Sequence, residues 1–167
     1  MTWRHAALTL AVALPAAACG SSPDDDPVVV QPAGCIEGLE HAGTAPEPGS
    51  VRVGGAWFVG LEQVQRMPWR ALRGRDRTGR AKAGVIVPAG QTLVLTVPPV
   101  SRGLLALDYT GNPQRTYRAT MTACRGRFPT VFFPGSLLVR RPLCRLPLDW
   151  RYGDERGRLL LSFGRAC

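Results

Sequence analysis

Short apolar runs alternate with turns rich in glycine, proline and charged residues over residues 51–167. Several runs have a period of two, which places successive side chains on opposite faces of a strand. The clearest lie at residues 91–97, 115–124, 146–151 and 159–163. The last two flank a Gly153-to-Gly157 turn, so they predict a hairpin near the end of the chain.

Further apolar runs at 51–60, 85–87, 103–109 and 137–141 complete the pattern, and we find no amphipathic helix. Glycine and proline, at 19 and 15 of 167 residues, also disfavour a helical bundle. We therefore predict an all-β fold, an antiparallel two-sheet sandwich (Ig-like or jelly-roll-like) of about eight short strands. Trp57, Trp150 and Phe163 are its expected large core residues.

The first eighteen residues have a different pattern. Arg4 precedes an apolar stretch of alanine, leucine and valine that ends in small residues. A positive start, a short apolar core and small residues at the end are typical of a secretory signal peptide. The stretch is too short to span a bilayer comfortably. We expect residues 1–18 to be this signal, so that the mature chain is exported.

The run Ala16-Ala17-Ala18-Cys19 resembles the lipobox of bacterial lipoproteins, with Ala16 where leucine is usual. The resemblance implies that Cys19 becomes the first mature residue and carries lipid such as palmitate, which anchors the chain to the outer face of the cytoplasmic membrane. The alternative is ordinary signal cleavage that leaves Cys19 unmodified. The spacing of the predicted strands and the composition are similar to those of small exported β-sandwich lipoproteins of high-GC Gram-positive bacteria. Those lipoproteins have no known function.

The net charge of +9 hides two opposite segments. Residues 19–50 contain six acidic and no basic residues and are rich in proline, which predicts a tether rather than a packed core. Residues 51–167 contain twenty basic and six acidic residues, a net charge of +14, and form the expected β domain. Arginine supplies all the basic residues except Lys82, which is also what a GC-rich coding bias would produce.

Five cysteines are present, and lipidation of Cys19 leaves four. An even number in an exported chain predicts two disulfides. We favour Cys124–Cys144 with Cys35–Cys167, which ties the two ends of the domain together. The alternative is Cys35–Cys124 with Cys144–Cys167, because the predicted hairpin brings the last two cysteines close.

Catalytic chemistry has few candidates. His41 is the only histidine after the signal, and no zinc, nucleotide or redox motif is present, so we predict no metal, no cofactor and no enzymatic activity. A carboxylate enzyme using Asp108 and Asp149 is the remaining catalytic alternative. Each of these acids could instead pair with a neighbouring arginine on a sheet face.

A basic segment beside Trp69 is the most prominent candidate site. It comprises Arg70, Arg73, Arg75, Arg77, Arg80 and Lys82, and we interpret it as a flexible loop. Arginine binds phosphate and carboxylate groups through two parallel hydrogen bonds. We therefore predict a monomeric, lipid-anchored protein that binds an anionic wall polymer, lipid headgroups or an envelope protein. Nucleic acid fits the charge, but export excludes it as the expected partner.

The segment from Phe128 to Phe133 offers an alternative. It holds three phenylalanines between two cysteines. An exposed loop of this kind would make the chain a disulfide-framed protein-binding module, such as an inhibitor or accessory subunit. The opposite interpretation is a segment that folds back onto the core.

Overall fold

The computed structural model describes residues 34–35, 39–41, 46–74 and 77–164. The predicted signal, most of the tether, and Cys19, Arg75 and Cys167 lie outside these residues. The described elements are β1 (Leu39–His41), β2 (Val51–Val53), β3 (Ala56–Phe58), α1 (Leu61–Arg66), α2 (Trp69–Leu72), β4 (Gly79–Lys82), β5 (Val85–Pro88), β6 (Thr92–Thr96), a 3-10 turn (Pro99–Ser101), β7 (Leu105–Tyr109), β8 (Arg118–Thr122), β9 (Thr130–Phe133), β10 (Gly135–Val139), β11 (Leu143–Tyr152) and β12 (Glu155–Phe163).

Antiparallel sheets dominate the described residues, as the sequence predicts. The strand orders are β1-β9-β5-β3-β2, β4-β10-β7 and β12-β11-β6-β8. The described strands thus form three sheets rather than two, and they number twelve rather than about eight. One extra strand arises where a predicted strand 51–60 is split by a turn at Gly54 and Gly55 into β2 and β3. The other three are β4 and β9, which form in segments predicted to be loops, and β1, which lies within the predicted tether 19–50 and pairs with β9.

The period-two pattern correctly identifies several buried positions, but Tyr117, which alternation places on the same face as Met121, is 39% exposed. Leu93 and Leu95 of β6 and Met121 of β8 have no exposed surface. The predicted hairpin is also present as β11 and β12, with Tyr152 paired to Glu155 across a turn shorter than expected. Alternation therefore locates the core faces of these strands before any strand pairing is known.

Large side chains fill the core differently from the expectation. Phe163 is fully buried as predicted, together with Phe58 and Phe133. Trp150 is only partly buried but packs against the core, where a large ring can remain partly in contact with solvent. Trp57 is partly buried and is not among the side chains that pack against the core, so its assignment to the core is wrong.

Two short helices, missed in the sequence, lie between β3 and β4. Leu61 and Val64 are three residues apart, share one face of α1 and are buried. Pro68 precedes α2 and prevents α1 from continuing through it. The Gln65 side-chain oxygen accepts a hydrogen bond from the Ser162 backbone N–H at 2.8 Å, which attaches α1 to β12.

One disulfide lies within the described residues, between Cys35 and Cys124, with Cα atoms 5.1 Å apart. The favoured pairings Cys124–Cys144 and Cys35–Cys167 are therefore both wrong, and the described bond belongs to the alternative set. Cys144 also forms a disulfide, but its partner lies outside the described residues. The pairing Cys144–Cys167 stays a prediction. The described bond joins the segment before β1 to the residues that follow β8.

Candidate ligand-binding cleft

A cleft of about 1010 Å³ lies over the outer face of the sheet β4-β10-β7. On the inner face, Ala81 and Leu137 pair across the sheet and are fully buried in the core. Alternate residues on the same strands therefore face the cleft. Lys82, Ser136 and Asp108 form one row across the three strands, with Ser136 in the centre.

Charges in the cleft are only partly neutralised. Arg80 donates a hydrogen bond to the Asp108 carboxylate at 2.8 Å, diagonally across the sheet. No ion pair or hydrogen bond joins the Lys82 side chain to another described residue. Ser136 lies between Lys82 and Asp108 in the sheet, and it is only 4% exposed although it faces away from the core. The cleft centre thus carries one cation that has no protein counterion among the described residues.

Apolar side chains form the end of the cleft nearest β9. The Phe132 ring lies directly over Gly84, where a Cβ would overlap it. Gly135 accommodates the Tyr109 ring in the same way. Pro134 directly follows β9 and also lines the cleft, as does Met67, which follows α1. Glycine at positions 84 and 135 is what permits these two rings to pack against the backbone.

Hydrogen bonds hold the end of β7 and the residues that follow it in place along the cleft. Asn112 accepts a hydrogen bond from the Thr120 N–H at 2.7 Å and donates to the Thr120 carbonyl at 3.1 Å. Thr110 donates to the Pro134 carbonyl through its side chain. Tyr109 donates to the Ala83 carbonyl at 2.9 Å, and burial raises the pKa of its hydroxyl well above the ordinary tyrosine value. These bonds indicate a preformed cleft.

The predicted basic segment does not form one flexible loop. Arg70 lies in α2, Arg73 follows it, and Arg77 occupies a turn with a positive φ of 62°. Arg80 and Lys82 lie on the exposed face of β4, because Gly79 and Ala81 alternate with them toward the core. Only these last two line the cleft; the other described members are exposed outside it.

The phenylalanine segment is also not a loop throughout. Residues 130–133 form β9, which pairs with β5. Phe133 is fully buried, Phe128 and Phe132 are half-buried, and Phe132 lines the cleft. An exposed contact patch of three phenylalanines is therefore wrong, and the interpretation of a segment folded onto the core is confirmed for Phe133.

The two candidate carboxylates lie on different sheets. Asp108 on β7 pairs with Arg80, whereas Asp149 on β11 accepts hydrogen bonds from Arg158 at 2.6 and 3.2 Å. Hydrogen bonding to Asp149 raises the pKa of Arg158. Only Asp108 lines the cleft. The expectation that such acids pair with neighbouring arginines is confirmed, and the cleft does not bring the two carboxylates together.

Several cleft residues were not identified in the sequence, among them Met67, Asn112 and Ser136. The alternation of Arg80, Lys82 and Gly84 could have shown that these three residues lie on one face of a strand. The sequence could not show which strands lie beside β4, because that depends on long-range pairing with β10.

No known protein family, curated protein or solved structure matches this chain. None of the described helices is long and apolar enough to cross a membrane. Among the described residues, no group of three or more His, Cys, Asp or Glu side chains is arranged to hold a metal ion.

Proposed function

We propose that this chain is a lipid-anchored, non-enzymatic protein of the cell envelope whose basic β domain binds an anionic envelope component. The run ending at Cys19 supports export and anchorage at the outer face of the cytoplasmic membrane, as in the bacterial lipoproteins it resembles. The anchor would bring the β domain close to anionic lipid headgroups and wall polymers.

The distribution of charge carries this proposal. Residues 51–167 hold twenty basic and six acidic residues. Every basic side chain that the structure describes is exposed. Three of the acids, Glu62, Asp108 and Asp149, already pair with arginine. The exposed surface therefore has a large excess of positive charge, which attracts anionic partners over a distance of several ångströms.

Arg70, Arg73 and Arg77 are the described members of the basic segment that lie outside the cleft. None of their side chains forms an ion pair with another described residue. All three lie within eight positions of the chain, from α2 to the turn before β4. Guanidinium groups in such proximity can contact several phosphate or carboxylate groups of one polymer or membrane surface.

Sedimentation with phosphatidylglycerol vesicles at increasing salt tests this proposal. The full chain carries Cys19→Ser, so that binding reports on the β domain rather than on an attached lipid. We expect binding that weakens steeply with salt, and loss of most of it in the triple variant Arg70→Glu, Arg73→Glu and Arg77→Glu.

The matched control reverses Arg141, Arg151 and Arg156, which changes the net charge equally at exposed positions elsewhere. It should retain most of the binding if the basic segment is the contact surface. Equal loss in both triple variants would refute a defined surface and indicate nonspecific attraction. Absence of wild-type binding to these vesicles and to a purified anionic wall polymer would refute the proposed function.

A further inference from the structure

The cleft over β4-β10-β7 combines one available positive charge with an apolar end. Arg80 and Asp108 neutralise each other at 2.8 Å, so Lys82 determines the net charge at the centre. An entering ligand with one negative charge would balance Lys82 without leaving a second charge unpaired. A cation would instead meet the uncompensated charge of Lys82, which is unfavourable in a partly enclosed site.

The apolar end has no partner in the described structure. Met67 lines the cleft and is 41% exposed, so part of its apolar side chain is in contact with solvent. Phe132 is half-buried, with its ring held over Gly84. Burial of such surface by a ligand tail is favourable by roughly 25 cal/mol for each Å² removed from water.

The size and rigidity of the cleft also fit a small ligand. Ligand sites typically enclose roughly 300–1,000 Å³ and combine apolar walls with a few fixed polar groups. Here the volume is about 1010 Å³. Asn112 and Thr110 hold the residues that follow β7 in place through hydrogen bonds, so little conformational entropy is lost when a ligand binds.

We propose that this cleft binds an alkyl amphiphile with a single anionic head group, either a carboxylate or a phosphate ester. The head group lies at Lys82 beside Ser136, and the alkyl chain lies along Phe132 and Met67. This inference rests on the proposed function, because it names the ligand of the same basic segment. The two proposals differ in the ligand: the cleft binds a single lipid molecule, whereas the exposed arginines contact a membrane or polymer surface.

Isothermal titration of the full chain carrying Cys19→Ser tests the ligand class. Dodecanoate and dodecyl phosphate, each kept below its micellar concentration, distinguish the two head groups. Dodecylammonium tests the sign of the charge, and acetate tests whether the head group alone is sufficient. We expect saturable binding of at least one anionic amphiphile at one site, and no measurable binding of dodecylammonium or acetate.

Substitutions at the cleft test its location. Lys82→Gln should weaken binding of the anionic amphiphile roughly tenfold or more, because it removes a charge-assisted hydrogen bond. Lys82→Arg should restore most of the affinity. Met67→Asn should weaken binding through the tail, whereas Val100→Asn, at an apolar position 74% exposed outside the cleft, should not. Both Met67 and Val100 are exposed, so folding should be retained.

Equal affinity for dodecylammonium and dodecanoate, or unchanged affinity in both Lys82→Gln and Met67→Asn, would overturn the inference. The triple arginine variant distinguishes it from the proposed function. Loss of vesicle binding with retained dodecanoate binding in that variant supports a cleft separate from the contact surface. Vesicle binding by a wild-type chain that binds no anionic amphiphile supports the proposed function and refutes the cleft.

Discussion

Replacing Asp108 by asparagine should increase the affinity of the cleft for an anionic amphiphile. Asp108 now neutralises Arg80 through a contact of 2.8 Å. Removing its charge leaves Arg80 available and eliminates repulsion between Asp108 and the ligand head group. Asparagine keeps nearly the same volume, so the change is mainly electrostatic.

The sheet register allows the magnitude to be estimated. Lys82 and Asp108 are both paired with Ser136, on opposite sides of it. Two strand spacings separate them, or about 10 Å. Two unit charges at this distance interact by about 0.4 kcal/mol in water and about 1.7 kcal/mol at an effective dielectric constant of 20. The affinity should therefore rise about 2- to 20-fold, nearer the lower value at physiological salt.

Titration with dodecanoate at low and physiological salt measures this effect. Asp149→Asn is the matched control, because it removes a similarly exposed acid paired with Arg158 on another sheet. It should leave the affinity unchanged. Either substitution should cost little stability, since both ion pairs are partly exposed. Unchanged or weaker binding in Asp108→Asn would refute the electrostatic reasoning.

Three further predictions concern stability. Phe133→Ala should lower the free energy of unfolding, measured by urea titration, by about 3–5 kcal/mol, because the ring is fully buried. Phe132→Ala should lower it clearly less, because Phe132 is only half-buried. Equal losses in the two variants would contradict the assigned strand faces. Replacing Cys35 and Cys124 by serine should cost about 2–5 kcal/mol, and non-reducing peptide mapping of the wild type should recover these two cysteines in one linked fragment rather than in separate ones. Burial raises the pKa of Tyr109 in the folded chain, so Tyr109 ionises first in the unfolded chain as the pH rises. The contribution of Tyr109 to the free energy of unfolding is therefore complete below about pH 10 and is lost as the pH rises further. The urea midpoint should therefore fall between pH 9 and 11, and less so in Tyr109→Phe; an identical fall in both would contradict this origin.

The alternation of apolar and polar residues was sufficient to predict β6 and β8. The alternating runs at 91–97 and 115–124 contain these two strands, and Leu93, Leu95 and Met121 within them are fully buried. Alternation is informative there because a shift by one residue would move these side chains to the opposite face of the sheet. It failed at residues 128–133, where valine and phenylalanine occupy both faces of β9.

Composition misled the interpretation of the basic segment. Gly79 and its charged neighbours suggested a loop, yet Gly79 is buried in β4, where the Trp69 ring fills the space that a side chain would occupy. The cleft itself could not be predicted, because it depends on the pairing of β4 and β7 with β10, over distances of many residues. Neither pairing has a local signature in the sequence.

The single lysine permits a direct test of the central claim that Lys82 binds an anionic head group. Because Lys82 is the only lysine in the chain, isotopic labelling of lysine at Cε gives one side-chain NMR signal. Titration with dodecanoate or dodecyl phosphate should shift that signal saturably, with the same affinity as calorimetry, and dodecylammonium should leave it in place. An unmoved lysine signal while calorimetry records saturable binding of the anionic amphiphile would contradict the account.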